Sequence, residues 1–269
     1  MMRVVPLLLL SALLAEAFVP LHQQLQRSRS TSNTRDSRLF NIFNDIGDLI
    51  SGQPSRLDAQ DSLPYDPCFC GDKSLCGDVR TFAVQERLIS FTGEDFDVSD
   101  ATSGAPFVRV RGAMLHLPGK DKMTMFDAGS GKELLVLDRK LIAATPTYDI
   151  FRSEGGEKIG WIEKKLIAMT DTFDIYMEGK GGFGVTGLLK PPPAYRVSGD
   201  FIDRSFVMRN DQNQVVARVS EDWIIEFDAF NHYQVQVAPG MDAMLVLAAL
   251  CAIDEEFDEE HKAKKEQES

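Results

Sequence analysis

The sequence has few basic side chains, few cysteines and histidines, and no long apolar run. Its 269 residues contain 29 Lys or Arg against 41 Asp or Glu, for a net charge of −12, with only 4 cysteines and 4 histidines. Nucleic-acid binding draws on clustered Lys and Arg, so this balance disfavours nucleic acid as a partner. The strongest apolar runs, residues 7–14 and 243–253, are shorter than the ~18 residues that cross a bilayer. We therefore expect no transmembrane segment in the mature chain.

The sequence also lacks the local motifs of common catalytic sites. It has no Gly-x-Ser-x-Gly turn, no His-Glu-x-x-His helix, and neither the His-Arg-Asp nor the Asp-Phe-Gly run of kinases. Residues 179–184 match the G-x-G-x-x-G spacing of dinucleotide-binding sites. In those sites a helix follows and binds the pyrophosphate at its N-terminus, but here three prolines at 191–193 exclude such a helix. His116 and His232 are the histidines of the folded part, without a partner motif. We expect no enzyme activity, no catalytic residue and no cofactor.

The first forty residues differ in charge from the rest of the chain. Their five arginines and two acids give +3, so residues 41–269 carry −15. Residues 1–17 combine a positive start, an apolar run and small residues at the end, which is typical of a secretory signal peptide. Residues 18–40 hold four Arg, six Ser or Thr and one Asp, which indicates a transit peptide. The junction between Ala17 and Phe18 resembles the cleavage site of plastid leaders in algae with extra plastid membranes; secretion is the alternative.

Residues 41–79 are predicted to be a linker, because they are rich in Asp, Pro, Gly and Ser without sustained periodicity. Cys68, Cys70 and Cys76 lie within nine residues of this segment. Three cysteines with a C-x-C start do not match the four-ligand sets of structural zinc, so we expect no metal. Two interpretations stay open: a redox-labile disulfide from Cys76 to Cys68 or Cys70, or unpaired thiols in a mobile linker.

Residues 80–257 show the pattern of a mainly β domain, followed by a charged tail at 258–269. Strand-like arms flank turn clusters near residues 102, 129, 155, 181 and 211, the signature of hairpins. The spacing leaves no room for crossover helices, which predicts an antiparallel sheet. Residues 243–253 (AMLVLAALCAI) are apolar on every face and span about 16 Å as a helix. Such a helix must be enclosed, so we expect the sheet to wrap around it.

An internal repeat lies in the middle of this domain. Residues 134–152 align without gaps on residues 159–177, with eight of nineteen positions identical. The alignment pairs Arg139-Lys140 with Lys164-Lys165, which predicts four cations on adjacent hairpins. Such a patch suits a phosphate headgroup or an acidic partner, whereas the alternative is solvated strand ends.

Several blocks of sequence resemble the LURP-one-related family. They are residues 86–112 (ERLISFTGEDFDVSDATSGAPFVRVRG), 123–151, 195–220 and 233–256 (YQVQVAPGMDAMLVLAALCAIDEE). That family resembles the C-terminal domain of Tubby and the phospholipid scramblases. The resemblance implies a closed barrel of about twelve antiparallel strands around a central hydrophobic C-terminal helix.

What the resemblance implies for function is a binding or scaffold protein without enzyme activity. Its interior is expected to be filled, so contacts would use the rim or the outer face. The leading prediction is an unidentified protein partner inside a plastid. The alternative is a peripheral protein that binds anionic phospholipid through Arg139, Lys140, Lys164 and Lys165. A continuous cationic face would favour lipid, and an acidic or apolar face would favour protein.

Overall fold

The computed structural model describes residues 56–68, 75–86, 95–112, 122–153, 156–165, 172–178, 191–201, 205–220 and 232–268. Within these ranges the chain forms twelve strands and one helix. The strands are β1 (Arg80–Glu86), β2 (Phe96–Asp100), β3 (Pro106–Gly112), β4 (Lys122–Asp127), β5 (Glu133–Arg139), β6 (Thr147–Arg152), β7 (Glu157–Lys164), β8 (Thr172–Met177), β9 (Tyr195–Asp200), β10 (Ser205–Asn210), β11 (Val215–Ser220) and β12 (His232–Val237). The helix, α1, is Ala243–Glu268.

The strands form one closed antiparallel barrel. Each strand pairs with its neighbours in the chain, and β1 closes the barrel by pairing with β12, from Arg80 opposite Val237 to Gln85 opposite His232. Closure removes the exposed edges that an open sheet would present. The predicted mainly β fold, a closed barrel of twelve antiparallel strands with a C-terminal helix, is confirmed.

The core of the barrel is the apolar half of α1. Every residue from Ala243 to Ile253 is buried, and the inward side chains of the strands, such as Phe82 and Ile150, are buried against this helix. The void found between α1 and strands β9 to β11 is only about 10 Å³. This volume is barely that of one water molecule. The helix therefore fills the part of the interior that the structure describes.

Asp242 begins α1 by capping its first turn. Its Oδ1 accepts a hydrogen bond from the backbone N–H of Met244 at 3.0 Å, as its place before the apolar run predicts. The preceding Gly240 has φ 75°, and a Cβ at this position would overlap the backbone oxygen of Gln60. Only glycine fits this turn without strain. In the described part of the chain, no helix has the length and apolar character needed to cross a membrane.

Residues 56–68 form a strap that packs against the barrel. The N–H of Asp58 donates to the carbonyl of Val215 at 2.8 Å, and the N–H of Gln60 donates to the carbonyl of Pro239 at 2.7 Å. Cys68, at the far end of the strap, is buried. The sequence places this strap inside a linker, whereas the structure joins it to the domain by backbone hydrogen bonds.

Candidate binding surface

One end of the barrel, where α1 leaves it, gathers the predicted cations. This helix-exit end consists of the β5–β6 turn (residues 140–146), the end of β7 and residues 254–257 of α1. The backbone N–H of Lys164 donates to the carbonyl of Pro146 at 3.0 Å, so β7 ends beside the β5–β6 turn. Four predicted site residues lie here: Arg139, Lys140, Lys164 and Lys165.

Two of these cations hold the helix. The Arg139 guanidinium is 3.1 Å from the buried Glu256 carboxylate on α1. Lys164 is only 4% exposed, and its Nζ lies 4.7 Å from the centre of the Phe257 ring. A cation over an aromatic face is attracted by the ring. Both side chains therefore hold α1 against the barrel wall. They are not the solvated side chains at strand ends that the sequence offers as the alternative.

The other two cations each pair with an aspartate of their own hairpin. Lys140 Nζ is 3.2 Å from Asp149 Oδ1, and Lys165 Nζ is 2.7 Å from Asp174 Oδ2. The two pairs occupy equivalent positions in the internal repeat. The four predicted cations therefore share one end of the barrel, but acids or an aromatic ring already contact them.

Asp174 is the most heavily paired of these acids. It is fully buried, and besides Lys165 it accepts a hydrogen bond from Arg196 Nε at 2.8 Å. Burial alone would raise the pKa of Asp174, but the hydrogen bonds from Arg196 and Lys165, with their charges, lower it below the usual 3.8. Asp174 is therefore ionised at neutral pH, and its negative charge pairs with Lys165 and Arg196.

The helix-exit end also exposes two large apolar side chains. Ile142 is 96% exposed and Leu141 is 58% exposed, both in the β5–β6 turn. Sequence reasoning did not single them out, although one signal was present: the run Lys-Leu-Ile-Ala at 140–143 recurs at 165–168. Residues 166–171 of the second run lie outside the described residues.

Two of the clustered cysteines, Cys68 and Cys76, lie at the opposite end, where α1 begins. The backbone N–H of Cys68 donates to Asp242 Oδ2 at 2.8 Å, and the N–H of Cys76 donates to the carbonyl of Met241 at 3.3 Å. Both cysteines are buried. They differ from thiols in a mobile linker, because they help to fix the start of the helix.

The buried cysteines are free thiols in the structure. Burial, with the nearby Asp242 carboxylate, raises the pKa of Cys68 well above its usual 9.0, and burial raises the pKa of Cys76 to about 11. A thiol with a raised pKa holds little of the reactive thiolate at neutral pH. No Cys68–Cys76 bond is formed, and Cys70 lies outside the described residues, so its pairing with Cys76 stays a prediction.

The remaining sequence-predicted positions lie outside the described residues or show no site. Ala17, Phe18, His116 and the glycine run at 179–184 are not among the described residues, and His232 begins β12. Across the ranges that the structure covers, no three His, Cys, Asp or Glu side chains are grouped as a metal site would require.

Comparison with known proteins identifies a family and similar solved structures. The sequence profile of the LURP-one-related family matches residues 80–254. A crystal structure of an Arabidopsis thaliana protein is similar, with 17% sequence identity over 69% of this chain and 95% of that chain, and a TM-score of 0.49. No curated protein matches the sequence.

Proposed function

The chain belongs to the LURP-one-related family, and we propose that it is a non-enzymatic module that binds another protein through the outside of its barrel. The observation that carries this proposal is the filled interior. The void beside α1 is about 10 Å³, whereas pockets for small molecules are usually about 300 Å³ or larger. A ligand therefore does not fit beside α1, and the larger cleft of about 320 Å³ lies outside the barrel interior, between residues 59–64 of the strap and residues 194–195 and 210–214.

The charges of the helix-exit end support a protein partner over a lipid. Glu256 pairs with Arg139, and Asp149 pairs with Lys140, so the cations there do not add up to a continuous positive face. The mature chain also carries a large excess of acid. An anionic membrane repels a protein with a net negative charge unless a basic patch on its surface faces the membrane.

The proposal predicts a stoichiometric complex in the cells that make the protein. The full chain with a C-terminal tag is expressed there, cross-linked and purified, and its mass is measured by size-exclusion chromatography with light scattering. We expect a species heavier than the processed chain, with one protein at constant stoichiometry across the peak. Elution of the processed chain alone after cross-linking would contradict the proposal.

An anionic membrane is the second candidate, because the exposed Ile142 lies beside the part-exposed Lys140. Apolar and basic side chains together suit the boundary of a bilayer. Flotation of the mature chain with phosphatidylserine vesicles and with neutral vesicles separates the two candidates. Binding only to the anionic vesicles, lost in Lys140→Gln, would favour the membrane.

We further propose that the protein works in a plastid. The support is the succession of a signal-peptide-like and a transit-peptide-like segment around Ala17 and Phe18. A fluorescent protein fused after residue 40 is expected to enter plastids, and Phe18→Ala is expected to divert it. Secretion of the fusion protein from the cell would contradict a plastid location.

A further inference from the structure

We infer that a polar cleft on the outside of the barrel, between the strap and the β10–β11 turn, binds a neutral, hydroxyl-rich small molecule such as a sugar or a polyol. The cleft measures about 320 Å³ and is lined by residues 59–64, 194–195, 210–212 and 214. This volume lies within the range of small-molecule sites, about 300 to 1,000 Å³. The inference goes beyond the proposed function. Three observations carry it: the charge of the cleft, its hydrogen-bonding groups and the way in which they are held.

The charge of the cleft disfavours an anionic ligand. Asp61 and Asp211 both line it and are exposed, and among the described residues that line it none is Lys, Arg or His. A phosphate or a carboxylate would meet two negative charges without a cation to offset them. The cleft therefore suits a ligand that is neutral or positively charged.

The amide side chains of the cleft favour a neutral ligand over a cation. Gln212 and Gln214 line the cleft together with the two aspartates. A carboxylate only accepts hydrogen bonds, whereas the NH₂ group of an amide donates them. An ammonium or a guanidinium only donates, so it would leave the amide donors unmatched. A hydroxyl both donates and accepts, so a ligand with several hydroxyls satisfies both kinds of group.

Asn210 holds two amides of the cleft in place. Its Nδ2 donates to Gln60 Oε1 at 2.8 Å and to Gln214 Oε1 at 2.7 Å. Its own Oδ1 accepts hydrogen bonds from the backbone N–H groups of Gln212 and Gln214, at 3.0 and 2.9 Å. Since the side-chain oxygen of Gln214 accepts from Asn210, its Nε2 is the end that donates to a ligand. Groups fixed in this way need little ordering when a ligand binds.

The two walls of the cleft are joined to each other. The backbone N–H of Gln60 on the strap donates to the carbonyl of Pro239 at 2.7 Å. Tyr195 of β9 lines the cleft and is 2% exposed, and its ring packs edge-on against Tyr65 of the strap, with ring centres 6.3 Å apart. The cleft is therefore formed before any ligand binds.

The test is saturation-transfer NMR of the full chain with glucose, sucrose and myo-inositol, each at millimolar concentration. Ala59→Trp places an indole in the cleft, whereas the matched control Ala101→Trp changes an exposed alanine that does not line it. Thermal unfolding verifies that both variants fold. We expect the wild type to bind at least one of the three probes. We expect its affinity to fall at least about tenfold in Ala59→Trp and less than about twofold in the control.

A second pair of variants tests the chemistry of the ligand. Asp211→Asn removes a charged acceptor from the cleft, and we expect about a tenfold loss of affinity for the bound probe. Asp66→Asn is the control, because Asp66 is an exposed acid of the strap that does not line the cleft. Binding of none of the three probes would overturn the inference. Binding of methylguanidinium in their place would overturn the ligand class, and equal binding by Ala59→Trp and Ala101→Trp would overturn the location.

Discussion

Residues 134–152 and residues 159–177 are two copies of one sequence that the barrel places in different surroundings. Each copy has a lysine before its turn and an aspartate after it, and each forms the corresponding ion pair, Lys140 with Asp149 and Lys165 with Asp174. The Asp149 side chain is 15% exposed, whereas that of Asp174 is fully buried. The same motif therefore contributes a partly buried pair in one copy and a fully buried network in the other.

The difference comes from the neighbouring strands. Asp149 also has a second cation, Lys158 at 2.8 Å, but β8 pairs with β9, where Arg196 lies directly opposite Asp174 and donates a hydrogen bond to it. Tyr176 donates a hydrogen bond to Asp174 at 3.3 Å, and its ring stacks on Trp161. The internal repeat therefore gives both copies the same hairpin and ion pair. The neighbouring strand determines how much that ion pair contributes to the stability of the fold.

The comparison is tested most strongly by removing each carboxylate in turn. Asp174→Asn leaves Arg196 and Lys165 without their buried anion, and we expect a loss of about 3 kcal/mol, after allowance for the part-exposed cations. Asp149→Asn is expected to cost less, about 1 kcal/mol, because Asp149 is only partly buried and its partners Lys140 and Lys158 are 39% and 30% exposed. Urea unfolding of both variants measures the difference, and equal losses would contradict it.

A smaller effect is expected where the two copies differ in side-chain size. Leu135 in the first copy corresponds to Gly160 in the second, where a Cβ would overlap the carbonyl oxygen of Tyr176. We expect Gly160→Ala to destabilise the domain by about 2 kcal/mol, since the strands must separate locally. Gly77→Ala is the control, because no atom lies within 4 Å of the added Cβ. Thermal unfolding compares the stability of the two variants. A Gly160→Ala variant as stable as the wild type would show that β7 and β8 separate at this point without cost.

Much of the fold could be predicted from the sequence, because its signals are local. Turn residues between alternating arms indicate hairpins, and eleven apolar residues after Asp242 indicate an enclosed helix. The strap at 56–68 could not be predicted in this way. Its contacts are mainly backbone hydrogen bonds to distant residues such as Val215 and Pro239, and these bonds leave no pattern in the side chains.

The candidate surface was predicted only in part. Arg139 and Lys164 lie at one end of the barrel because the two repeat copies form adjacent hairpins. Their partners were not foreseen, because Glu256 lies 117 residues from Arg139 along the chain. The exposure of Ile142 was also missed, since an apolar run has the same appearance in a strand as at the tip of a turn.

The pH dependence of the free energy of unfolding tests the same comparison. The expected change is smaller than the whole loss of stability in Asp174→Asn. Hydrogen bonds and charges from Arg196 and Lys165 outweigh burial and place the pKa of Asp174 below 3.8 in the folded protein. A lowered pKa contributes stability that is complete above the unfolded value and declines as pH falls through it toward the folded value. We therefore expect the gap in unfolding free energy between wild type and Asp174→Asn to narrow below about pH 4. Urea unfolding at a series of pH values from about 5 to 3 measures this gap. Other carboxylates titrate in both proteins and cancel, so a gap that stays constant across this range would mean that Asp174 acts through its shape and not through its charge.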